Sequence, residues 1–400
     1  MTKIVEKMTQ AGLGQLADGT LVERVLPGEE IEVLADGSAR VITPVVDRVK
    51  APCRHFKSCG GCAVQHASDR FVEGWKTQIV ERAVTARDLP FPLRHVHTSP
   101  PKSRRRARLS GRRTKKGAMV GFHAKASDAL IDVPDCQLLL PGIRAGFPAL
   151  EALTVIAASR KSEVNLTVTD TLNGLDVHVA TEKTLDGPLR IELAGLAEAH
   201  DLARLAWNDD VVVTRKSPDQ QFGPARVAPP AASFLQATRE GEQALVNAVL
   251  GSLGKARKVV DLFSGAGTFS LPIAAKCEVH AIEGDAEMLS ALDRGWRHAT
   301  GLKTVTTEVR DLFRRPLEPD ELNRFDLAVL DPPRAGAQAQ VATVAASDLK
   351  SVIMVSCNPV TFARDASALV SAGFAMVWID VVDQFRWSPH VEVVASFTRT

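Results

Sequence analysis

"KVVDLFSGAGTFSLPIA", residues 258–274, decides the fold. An apolar run, Val259 to Phe263, meets the small-residue turn Ser264-Gly265-Ala266-Gly267, and a helix pattern starts near Thr268. This strand–turn–helix rhythm recurs from about residue 233 onward and predicts a doubly wound, Rossmann-like parallel sheet. Glycines 265 and 267 let the backbone pass close to a ligand at the helix start. Position 270 is serine, so the G-x-G-x-x-G dinucleotide pattern is incomplete, and no Gly-Lys-Ser/Thr follows to hold phosphates. The next strand, Val279 to Ile282, ends in Glu283, where a carboxylate can bind a ribose diol. Together these features favour an adenosine-bearing cofactor without a required pyrophosphate, such as S-adenosylmethionine. A nicotinamide dinucleotide is the alternative.

Two further strands end in reactive side chains. Phe325 to Leu330 leads into Asp331-Pro332-Pro333-Arg334, and the prolines fix Asp331 at the mouth of the sheet. Amino-directed methyltransferases usually carry an aromatic residue where Arg334 stands, which disfavours an exocyclic amine as target. Val352 to Val355 leads into Ser356-Cys357-Asn358-Pro359. Ligands of open α/β sheets bind beyond the C-terminal strand ends, so Glu283, Asp331 and Cys357 should face one site. Glu392 opens a last strand, with His390 two residues before it.

Upstream, residues 1–50 are rich in Val and Ile between turn signals, which suggests a small OB-like β-barrel. Residues 51–232 read as a central α+β domain, and residues 233–400 as the cofactor domain. Pro218 to Pro230 reads as a connecting segment. "CRHFKSCGGC" sets Cys53, Cys59 and Cys62 within ten residues, with Cys136 further on. Four thiolates suit zinc or a four-iron cluster, and three clustered cysteines plus a remote one fit the cluster better. Cys277 stands alone and reads as structural. Net charge is only +2, yet eleven Lys or Arg and no acid lie between Asp88 and Asp128. The run Lys102-Ser103-Arg104-Arg105-Arg106-Ala107-Arg108 is read as a phosphate-binding surface, which points to nucleic acid. No signal peptide or membrane-length apolar run is visible, so a cytoplasmic, membrane-free monomer is expected.

The chain resembles the iron–sulfur-containing RNA uracil-5-methyltransferases throughout its length. The matching pieces are "CRHFKSCGGC" with Cys136, "FLQAT", "DLFSGAGTFSLPIA", "DPPRAGA", "SCNPVTFARD" and "SPHVEVVASF". The resemblance implies Cys357 as nucleophile and Glu392 as proton-abstracting base. It implies Gln236, Phe263, Gly265 and Glu283 as S-adenosylmethionine contacts, and Asp331 as a holder of cofactor or uracil. It implies a [4Fe–4S] cluster on Cys53, Cys59, Cys62 and Cys136, and a short TRAM domain over the first fifty residues. RNA is the implied partner, with 23S ribosomal RNA favoured and transfer RNA the rival. An inactive RNA-binding relative is the alternative of another class. "GWRHATGL" departs from the family, which usually has an Asn-Ala pair where His298-Ala299-Thr300 stands, and this leaves the adenine contacts open.

Overall fold

The computed structural model describes residues 2–400. Its largest sheet has eight strands. Their order is Val305–Val309, Glu278–Glu283, Lys258–Leu262, Leu327–Leu330, Ser351–Ser356, Glu392–Thr398, Ala375–Asp383 and Leu93–Thr98. The first five are parallel, and Glu392–Thr398 inserts antiparallel to both its neighbours. Side chains alternate between two cores. Val260, Leu262, Ala328 and Leu330 enter one, while Val259, Leu327, Val329 and Ile353 enter the other. That two-sided burial is why these strands read as continuous apolar runs.

Two pieces from the first hundred residues belong to this sheet. Leu93–Thr98 pairs parallel with Ala375–Asp383 and covers the sheet's edge. Helix Asp69–Thr85, capped by the Ser68 side chain, packs on the same strand and on helix Pro359–Ser371. The chain therefore crosses the boundary expected at residue 232.

The rest of the middle region is a seven-stranded sheet. It runs in the order Asp210–Thr214, Arg204–Trp207, Gly174–Ala180, Glu163–Thr171, Arg106–Arg113, Ala118–His123 and Leu130–Asp132. The proline-rich stretch expected to be a connector instead forms a hairpin, Gln220–Phe222 with Ala225–Val227. Phe222, Ala225 and Val227 bury into the C-terminal core, so the segment carries an apolar period-2 face that its prolines obscured. At the N-terminus five short antiparallel strands curl around Val5, Leu16, Val22 and Ile31 in the order Leu21–Glu23, Leu13–Leu16, Thr2–Met8, Glu30–Val33 and Ala39–Thr43.

Candidate active site

The first turn does what its glycines allow. Gly265 (φ 55°) and Gly267 (φ 97°) lie in the left-handed region. A Cβ on Gly267 would come within 2.9 Å of Leu292, so both conformation and space exclude a side chain there. Phe263 also has positive φ, 66°, and its ring lies against Phe313. The helix that follows, Ser270–Ala274, starts two residues later than expected.

Glu283 ties this turn to the next strand end. One carboxylate oxygen accepts from Gly265 N at 3.0 Å, and the other accepts from Gly284 N and Asp285 N at 2.7 and 3.1 Å. The oxygen that accepts only from Gly265 N keeps a lone pair for a ligand hydroxyl. The carboxylate is thus already oriented where a ribose diol would sit.

The Asp331 and Cys357 loops hold one another. Asn358 caps helix Pro359–Ser371 through Val360 N, and its amide also donates to Arg334 O at 3.0 Å. Thr361 Oγ1 donates to the same carbonyl, Arg364 donates to Ala335 O, and Asp365 accepts from Ala337 N. The motifs "DPPRAGA" and "SCNPVTFARD" are therefore one stapled unit.

Charge at this unit is poorly compensated. Burial, then the Asp261 and Glu283 carboxylates, push Asp331 up to about 7. Burial, then Asp331, push Glu392 up to about 8, while a hydrogen bond from Gln384 and the Arg334 charge oppose the rise. Burial, then Glu392 and Asp331, push the Cys357 thiol up to about 11. These three groups from three strand ends lie within Coulombic reach of one another, with Arg334 as the opposing cation. A bound cation such as a sulfonium would relieve them, so the acidic set fits S-adenosylmethionine.

Gln236 completes the cluster. Its amide faces Asp331 at 3.4 Å, and its side-chain oxygen accepts from Gln384. Gln384 also accepts from Ala237 N at 2.9 Å. Gln236 is further fixed by Arg105, whose Nε donates to Gln236 O at 3.0 Å. Sequence reasoning missed Gln384 and Arg105 in these roles. No motif marks Gln384, and Arg105 sat inside a run read as surface.

That run needs correction. Arg105 is 2% exposed and ion-paired with Glu242, and Arg106 donates to Ala232 O. Lys102, Arg108, Arg113, Lys115 and Lys116 are the exposed cations. Strand Arg106–Arg113 turns alternate residues inward, so a charge run cannot lie wholly on the surface.

The four expected cluster ligands are brought together from two stretches. Cys53, Cys59 and Cys62 are half-buried and Cys136 is buried. Burial pushes Cys62 up to about 12, with Cys136, Cys59 and Cys53 each adding to the rise. Gly61 N donates to Cys59 Sγ at 3.4 Å and Leu138 N to Cys136 Sγ at 3.5 Å. The four thiols lie within Coulombic reach of one another, and two of them have a backbone donor on sulfur. Among the described residues no group of three or more His, Cys, Asp or Glu is arranged to hold a metal ion. Cys277, read as structural, is buried and donates to Ala256 O. No helix among the described residues is long and apolar enough to cross a membrane.

Residues 298–399 match the model of the tRNA (uracil-5-)-methyltransferase family. An uncharacterized RNA methyltransferase from Brucella suis is 41% identical over 97% of this chain and 95% of its own length. The 23S rRNA (uracil(1939)-C(5))-methyltransferase RlmD of Halomonas elongata is 30% identical, covering 95% of this chain and 85% of that protein. Among solved structures, the tRNA (uracil-54, C5)-methyltransferase of Pyrococcus abyssi, in complex with S-adenosyl-L-homocysteine, superposes with TM-score 0.80. It is 21% identical and covers 100% of this chain and 99% of that one.

Proposed function

Because this chain belongs to the RNA uracil-5-methyltransferase family and is an S-adenosylmethionine-dependent RNA (uracil-C5)-methyltransferase, we propose that it forms 5-methyluridine in 23S ribosomal RNA through a covalent Cys357 adduct. The observation that carries the mechanism is the meeting of Cys357, Glu392, Asp331 and Gln236 at one set of strand ends. The ribosomal target is supported by the Halomonas relative, which is more similar in sequence than the Pyrococcus transfer-RNA enzyme.

Uracil C5 is a weak nucleophile. Cys357 gives its proton to solvent and adds through sulfur to C6, which moves electron density to C5 as an enolate. S-adenosylmethionine, when bound, supplies the electrophilic methyl group that C5 takes up. Glu392 then takes the C5 proton, the C5=C6 double bond re-forms, and the thiolate leaves. Such a positioned base contributes roughly 10² to 10⁴ in rate. Gln236 and Asp331, on this reading, orient cofactor or uracil, while Phe263, Gly265 and Glu283 hold the adenosine side.

Cys53, Cys59, Cys62 and Cys136 would hold a [4Fe–4S] cluster that fixes the loop carrying the first three. The N-terminal sheet would serve as a TRAM-like RNA-binding module, and the protein would act as a cytoplasmic monomer. Mass spectrometry of ribosomal and transfer RNA from cells with and without the gene tests the function. Loss of 5-methyluridine from 23S RNA is expected. Loss from transfer RNA alone would move the target, and loss from neither would refute the activity.

A further inference from the structure

Between the end of strand Ala375–Asp383 and the start of Glu392–Thr398 lies the loop that delivers the base, residues 384–391. Residues 63–99 hold this loop from outside. Ala63 N and Val64 N both donate to Trp387 O, at 2.7 and 3.2 Å, and Ser99 N donates to Asp383 O. Trp387 itself has φ 60°, a conformation a tryptophan keeps only where neighbours enforce it.

Lys76 is the centre of this arrangement. It sits mid-helix in Asp69–Thr85 on the buried stripe with Val72, Trp75, Ile79 and Val80, and it is 0% exposed. All three ammonium donors are used, two on the loop and one on Asp383, the strand residue just before it. They reach the Asp383 carboxylate, Phe385 O at 3.0 Å and His390 O at 2.9 Å. Asp383 and Phe385 lie at the loop's entry, and His390 lies at its exit, two residues before Glu392. The same Asp383 oxygen also accepts from Phe385 N at 3.0 Å.

We propose that Lys76 is a positioning residue for the catalytic base: its ammonium clamps both ends of loop 384–391 and so sets where Glu392 meets the uracil C5 proton. The proposal rests on the reading of Glu392 as base. Stability alone is a poor reason for such a group. Buried ion pairs are often matched or exceeded by apolar replacements, whereas a compact three-donor ammonium fixes three acceptors in one geometry. Gln384, the loop's first residue, hydrogen-bonds Gln236 and lowers the Glu392 pKa, so a displaced loop would disturb the base and its neighbour together. A misplacement of about 1 Å is enough to cost roughly 10²-fold in rate.

The test compares Lys76→Met, Glu392→Gln and wild type, each with unmodified target RNA and S-adenosylmethionine. Turnover and the covalent protein–RNA adduct on denaturing gels are the readouts. Lys76→Met should lose roughly 10²-fold in turnover and accumulate methylated adduct, as Glu392→Gln does, with cofactor affinity changed less than about twofold. A merely structural lysine would lower the folded fraction without leaving adduct in the folded molecules. Adduct with Glu392→Gln but wild-type turnover in folded Lys76→Met would overturn the role of Lys76. Absence of adduct with Glu392→Gln would instead overturn the base assignment. Should Lys76→Met not fold, the double variant Lys76→Met/Asp383→Asn removes both buried charges together and carries the same expectation.

Discussion

The strand ends around Cys357 and the basic run at residues 102–116 are both dense in charge, and they treat it in opposite ways. At the strand ends Glu392 is buried and Asp331 half-buried with little compensation, and both are raised towards neutral pH. In the basic run Arg105 is also buried but paired with Glu242 and bonded to the Gln236 carbonyl. Scaffold charge is neutralised where it stands, whereas a site that awaits a cationic ligand keeps its charge unsatisfied. Lys76 joins the two patterns, because it is fully paired yet aimed at the loop that carries the base.

The largest effect that can break this contrast is at Cys357. Cys357→Ala should abolish turnover to the detection limit while leaving cofactor binding in place, as measured by steady-state methyl incorporation and calorimetry. Substantial turnover in this variant would remove the strand-end thiol from the chemistry.

Next comes the paired charge. Arg105→Ala leaves Glu242 buried without its cation and should cost about 3–5 kcal/mol of stability. Denaturant unfolding measures this, and a change below about 1 kcal/mol would place Arg105 with the exposed cations after all. The exposed cations give the opposite behaviour. Replacing Arg113, Lys115 and Lys116 with serine should leave stability unchanged and flatten the salt dependence of RNA binding. The expected change is about 0.7–0.9 units of slope for each phosphate no longer neutralised. An unaltered slope would make them an ordinary solvated turn.

The smallest effects concern protons. A carboxyl whose folded pKa is raised binds its proton more tightly when folded, so its contribution to stability falls as pH rises. For Glu392 that window runs from the ordinary 4.5 to about 8. Cofactor-free Glu392→Gln should therefore lose less stability than wild type across that range, which thermal melts can follow. Binding of S-adenosylmethionine near neutral pH should also release protons from Asp331 and Glu392, and the neutral S-adenosylhomocysteine should release fewer. Calorimetry in buffers of different ionisation enthalpy separates the two.

Local signals made the site legible. Each strand-end motif sets an apolar run before a small or proline-bearing turn, so Gly265, Glu283, Asp331 and Cys357 could be placed at strand ends without the fold. What stayed hidden was the pairing of distant segments. Leu93–Thr98 is largely polar and finds its partner near the far end of the chain, so no local pattern assigns it to the C-terminal sheet. The hairpin at 220–227 was masked by its prolines, and Gln384 has no signature apart from the bonds it makes. Lys76 did carry one signal, a charged residue on the apolar stripe of a helix, which shows only when its burial is suspected.

The division of labour between Cys357 and Glu392 is open to direct measurement by denaturing electrophoresis of enzyme incubated with target RNA and S-adenosylmethionine. The expected result is a methylated, denaturation-resistant protein–RNA band with Glu392→Gln and none with Cys357→Ala. A covalent band with Cys357→Ala, or wild-type turnover with Glu392→Gln, would contradict a thiolate at the strand end that makes carbon 5 nucleophilic and a carboxylate that releases it.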